Sequence, residues 1–205
     1  MKKKNVFLYF LLARDHEINV TENVLKKISS KNSKQKKCLR SLVYKDLLQD
    51  EHYLLYEKWQ VAHFDGAKAI QDATLSFLRD ELLEENILGA TVWNKLYTTK
   101  DFDLIDESSE GVMSLTLVSL KVNAITELFK LFQVLVDHIH DYEGFLGCSL
   151  SIPNDGDLEK VMMRIIWQNA ELRLKAVESP SFMKLKETLQ KYITGTLNVM
   201  LFKEI

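Results

Sequence analysis

Hydrophobic and polar positions along the chain alternate between strand-like and helix-like stretches, in an order that runs through twice. Residues 6–13 are dense in Val, Phe, Tyr and Leu, as a buried strand requires. Asn19-Val20-Thr21-Glu22 reads as a helix start, with Asn19 as cap and Glu22 three residues on. Val20, Val24 and Ile28 then fall at helical spacing, and the polar run 29–37 reads as a loop. Strands are expected at 38–46 and 52–60, a long helix at 64–85 with Ala67, Ile70, Leu78 and Leu82 on one face, and a closing strand at 88–97. The second half predicts a strand at 112–120, a helix at 123–140, strands at 144–152 and 159–168, a helix at 170–192 and a strand at 195–203. Pro153-Asn154-Asp155-Gly156 marks the turn between its middle strands.

Landmarks recur between the halves at an offset of 104 to 108 residues. Trp59 and Trp167 each end a strand-like run; Asn19 and Asn123 precede helical patterns; Ser76-Phe77 matches Ser181-Phe182, and Gly89 matches Gly195. Self-similarity at a fixed period implies a tandem duplication. The expected domains are 1–100, an acidic linker at 101–110 with five acids and two serines, and 111–205. Each half reads β-α-β-β-α-β, the split β-α-β order of a ferredoxin-like unit in the α+β class. One such unit leaves an apolar sheet face bare. Two units packed sheet to sheet, as an intramolecular α/β barrel, would cover both.

Composition changes little in this picture. The 205 residues are 46% hydrophobic and 27% charged, ordinary for a globular protein, with a formal net charge of −2. Residues 1–100 carry 17 Lys/Arg against 13 Asp/Glu, and 101–205 carry 10 against 16, so the halves differ in sign. Cys38 and Cys148 are too few for a disulfide framework and read as reduced thiols. The basic N-terminus followed by an apolar run imitates a secretion signal, but the run is short, charged residues follow at once, and it matches 112–118 of the second half. No stretch reaches the roughly 18 apolar residues of a membrane span. A cytoplasmic protein with no membrane partner is expected.

Glu143-Gly144-Phe145-Leu146-Gly147, the strand ending in Trp167-Gln168-Asn169, and Ser179-Pro180-Ser181-Phe182 together resemble the antibiotic biosynthesis monooxygenase family. Tyr56-Glu57-Lys58-Trp59 and the helix after it carry the resemblance in the first half. It implies a dimeric α/β barrel, here supplied by one chain, and a monooxygenase that oxidises an apolar aromatic such as a quinol or polyphenol with no cofactor. Two departures stand out. The Glu two residues before the Trp is kept as Glu57 but becomes Ile165, and the helical His of many members falls at Lys68 and Ala176. The trio of the haem-degrading branch is missing from both second helices.

Chemistry of that kind needs a dry cavity and a base. Glu57 is the candidate base, and Tyr9, Trp59, Trp167, Phe129 and Phe132 are the candidate pocket lining; the tryptophans serve equally as core residues. No metal is expected, because His138 and His140 point about 200° apart on a helix. The basic run at 26–40 lacks the interleaved aromatics of a nucleic-acid surface. The helix at 123–140 is apolar over more than one stripe, so it meets another chain or roofs a pocket. The expected partner is a small apolar aromatic molecule, bound by a monomeric pseudo-dimer or a homodimer. A non-catalytic binding or assembly module is the alternative.

Overall fold

Strands buried on both faces have to be apolar at nearly every position, and β1 (Lys3–Leu12) and β3 (His52–Val61) of the computed structural model largely are. The structure describes residues 3–61, 64–99, 102, 111–155 and 157–205. Apart from Phe102, the acidic linker lies outside the described residues, as does Gly156 of the expected turn. The chain forms two compact units, one of Met1–Asn94 with Phe202–Ile205, the other of Lys95–Leu201.

The first unit contains β1, α1 (Ile18–Ser33), β2 (Cys38–Asp46), β3, α2 (Phe64–Glu81) and most of β4 (Ile87–Thr98). Its strands run in the order β4-β1-β3-β2, with β1 antiparallel to both neighbours and Tyr9 opposite Leu55. The last residues of the chain, at the end of β9 (Val199–Glu204), pair with β2, Tyr44 facing Glu204. Phe7, Tyr9 and Leu11 of β1 share one core with Leu55 and Trp59 of β3, and Leu25, Ile28, Ala67 and Leu78 of the two helices complete it. The alternate residues Val6, Leu8, Leu54 and Tyr56 are fully buried too.

Two local expectations change. The polar run at 29–37 is helical as far as Ser33, and α1 starts one residue before Asn19, at Ile18. Glu22 does not close a capping box: it accepts a hydrogen bond from the Tyr53 hydroxyl at 2.9 Å and pairs with Lys26 at 3.7 Å. A tertiary partner has outcompeted the local one. Asn32, read as loop, is buried because α1 continues past it.

The second unit contains β5 (Val112–Leu120), α3 (Ile125–Ile139), β6 (Phe145–Pro153), β7 (Lys160–Trp167), α4 (Ala170–Val177), α5 (Pro180–Gln190), β8 (Ile193–Thr194) and the start of β9. β5 pairs with β7, β7 with β6, and β8 adds to the end of β5. Leu128, Phe132 and Ile139 of α3 pack with Val161, Met163 and Trp167 of β7 in a separate core. The single helix expected at 170–192 is two. Asn169 caps the first by accepting from Leu172 N at 2.9 Å, and Ser179 caps the second by accepting from Phe182 N at 3.3 Å. Pro180 cannot donate to the preceding turn, so the chain restarts there.

The α+β class and the ferredoxin-like character of both units agree with the sequence. Among the described residues no helix is long and apolar enough to cross a membrane.

Candidate functional site

In the first unit the candidate residues converge on one carboxylate. Glu57 of β3 is fully buried, facing the helices together with Trp59 and Tyr9. Its Oε1 accepts from Asn32 Nδ2 at 2.5 Å and from Ser41 Oγ at 3.3 Å, and its Oε2 accepts from Trp59 Nε1 at 2.9 Å. Burial pushes its pKa above the ordinary value, and the hydrogen bonds, Asn32 first, pull the other way without reversing the shift. The buried Tyr9 hydroxyl is raised well above its usual range, by burial first and by the charge of Glu57 second. The same two causes push the Cys38 thiol up to about 12. Asn32 and Trp59, both donors to Glu57, also line a cavity of about 230 Å³ between α1 and α2, with Ile28, Lys31 and Phe77.

The second unit has a tryptophan at the matching strand end and no carboxylate two residues before it. Trp167 pairs with Phe145 across β7 and β6 just before a register shift, as Trp59 pairs with Cys38 across β3 and β2 just before another. Two residues earlier stands Ile165. Trp167 forms the floor of a cavity of about 380 Å³ with Met163, Ile165, Ser114 and Thr116 of the sheet, roofed by Leu135 of α3, Arg173 and Val177 of α4 and Phe182 and Leu189 of α5. Arg173 is half-buried, its Nε donates to Ser114 Oγ at 3.4 Å, and burial lowers its pKa.

Phe129 and Phe132 stand elsewhere. Their rings meet the Tyr97 ring edge-on, with centroids 5.9 and 5.7 Å away, and neither lines the cavity. The broad apolar surface of α3 is thus spent largely on the core of its own unit. His138 and His140 contact different groups, the Tyr142 hydroxyl at 3.2 Å and Asp141 at 3.3 Å.

Sequence reasoning missed Asn32, Ser41, Ser114 and Arg173. Arg173 did leave a signal: no acid stands three or four residues from it on its helix, so nothing local neutralises it.

By sequence the chain matches no family model and no curated protein. Its structure is similar to that of an anthrone oxidase-like protein, at 9% identity and a TM-score of 0.75, covering 100% of this chain and 92% of that one. It is similar to a candidate monooxygenase of Fusobacterium nucleatum at 11% identity and a TM-score of 0.70, over 99% and 93% of the two chains. A third likeness, at 10% identity, a TM-score of 0.58 and coverage of 100% and 96%, is to a ferredoxin fold protein of Listeria monocytogenes related to antibiotic biosynthesis monooxygenases. The fold is that of the antibiotic biosynthesis monooxygenase relatives. At such identities the likeness extends to the fold and stops there. Within this monooxygenase-like fold the two units are chemically unequal: one holds a buried carboxylate, the other an apolar cavity with donors at its wall.

Proposed function

We propose that the chain is a small-molecule-binding protein of the monooxygenase-like fold, and that its second unit takes up an apolar aromatic molecule. The supporting observation is the cavity above Trp167, large enough for a small ligand and walled mainly by Met, Ile, Leu, Val and Phe with a few polar groups at one place. Among the described residues no buried carboxylate lines it, and the one acid of the lining, Glu178, is exposed. Uptake and retention need only such a wall. On this reading the two units descend from a duplication, act within one cytoplasmic chain, and have divided the ancestral site between them. Ile165→Phe thrusts a ring into the cavity from the sheet side, and it should weaken anthrone binding at least about tenfold by isothermal titration. Unchanged affinity would place the ligand elsewhere.

A second reading is supported by Glu57, a carboxyl of raised pKa whose donors Asn32 and Trp59 line the first unit's cavity. A carboxyl so tuned is suited to removing a proton from a quinol, which then reacts with dioxygen without metal or flavin. Glu57→Gln would then cut oxygen uptake with anthrone or a quinol by about tenfold or more, the low end of general-base catalysis. If Glu57→Gln turns over at the wild-type rate, Glu57 is not the base.

A further inference from the structure

A carboxylate is built into the first unit at a place where the second has none. Trp59 Nε1 donates to Glu57 Oε2 at 2.9 Å, whereas Trp167 follows Ile165 and its Nε1, fully buried, has no hydrogen-bond partner among the described residues. A buried donor left unpaired costs about 1–3 kcal/mol, so such groups are rare unless something else fills the place.

Two further donors stand at the same wall. Arg173 is half-desolvated, yet no carboxylate pairs with it among the described residues; its one side-chain hydrogen bond there is from Nε to Ser114 Oγ at 3.4 Å. The remaining N–H groups of the guanidinium form the fork that fits a carboxylate. Ser114, itself buried, accepts from Arg173 and so keeps its own hydroxyl proton for donation. Ser114 stands opposite Ile165 in the β5–β7 register, which makes it the diagonal neighbour of Trp167 on the same sheet face. Glu178 and Lys186, the other charged residues of the lining among those described, are exposed. They mark the solvent side, while Trp167 and Ser114 mark the floor.

We infer that the second unit's cavity binds an apolar carboxylic acid, whose carboxylate takes beside Trp167 the place that Glu57 holds beside Trp59. This rests on the proposed binding function and names its ligand class: a hydrocarbon body of about two fused rings, bearing one carboxylate. The body fills the space between β7 and the α4–α5 pair, and the head accepts from Trp167 Nε1, Ser114 Oγ and the Arg173 guanidinium. No base, metal or oxidant is involved; this is recognition alone.

The test compares 2-naphthoate with its neutral isostere 2-naphthylmethanol, by isothermal titration on the full chain. The expected result is at least about tenfold tighter binding of the acid, since hydrogen bonds to a charged group are worth roughly that much or more. Arg173→Gln should remove most of the difference by weakening the acid far more than the alcohol, with Ser114→Ala as a milder second variant should Arg173→Gln fold poorly. Naphthoate should also shift the Trp167 indole N–H resonance, assigned by its loss in Trp167→Phe. Equal binding of acid and alcohol to the wild-type protein would overturn the carboxylate inference while leaving the apolar pocket intact. Binding of neither probe would overturn both. Tight naphthoate binding that survives both variants and leaves the Trp167 resonance unmoved would put the acid at another site and refute the inference.

Discussion

Glu57→Ala should lower the unfolding free energy by about 3 kcal/mol or more, measured by urea denaturation at neutral pH. The side chain is fully buried and satisfies three donors, Asn32, Ser41 and Trp59. Alanine leaves all three facing an apolar gap, and each stranded donor costs on the order of 1 kcal/mol or more. Wild type should also lose part of its advantage over Glu57→Ala as pH rises. The carboxyl titrates above its ordinary value of 4.5, so the unfolded chain releases that proton at lower pH than the folded one. Between the two values the folded state binds more protons and stability falls with rising pH; below the lower and above the upper it is flat. Urea midpoints from about pH 4 to about pH 8 read this directly. An advantage that grows with pH would mean that the hydrogen bonds to Glu57 outweigh burial.

Gly111→Ala should cost about 3 kcal/mol in the same assay. Gly111 has φ +98°, where a side chain is strained, and an added Cβ would run into the carbonyl oxygen of Trp167. That oxygen belongs to the backbone at the end of β7, where Val112 pairs with Trp167, so it cannot swing aside. Gly144, at φ +80°, is the milder case, because its Cβ would meet the Leu172 side chain at 2.6 Å and a side chain can turn away. A Gly111→Ala loss below about 1 kcal/mol would show that the entry to β5 shifts freely.

The sequence revealed the strands well, because their signal is a run of apolar residues that burial on both faces demands: 38–46 and 112–120 coincide with β2 and β5. Helix ends were less legible. Polar residues at 29–33 favour a loop locally, yet Asn32 reaches Glu57 only if the helix continues, and that tertiary bond decides it. Ser179-Pro180 is a helix start by its residue types, but the apolar periodicity running through it from 170 to 192 masks the break. The candidate site was half-visible. Glu57, Trp59 and Tyr9 do converge, as residues of like parity on paired strands must. Phe129 and Phe132 do not join Trp167 at the cavity, because a broad apolar helix gives no hint of which part of its surface faces Tyr97. Arg173 and Ser114 are ordinary residues singly; only the register of β5 on β7 and the course of α4 bring them together.

The division of the chain into units has a consequence for its biosynthesis. Phe202–Ile205 belong to the first unit, where they extend the sheet beside β2. On the ribosome, therefore, the unit begun first is finished last: its β2 edge, with backbone groups from Tyr44 to Asp46 open, waits while more than 100 further residues are translated. An edge left open in that way is a template for intermolecular pairing. Nascent chains stalled within the second half are thus the species most exposed to aggregation, and a chaperone acting on this protein has its longest task there.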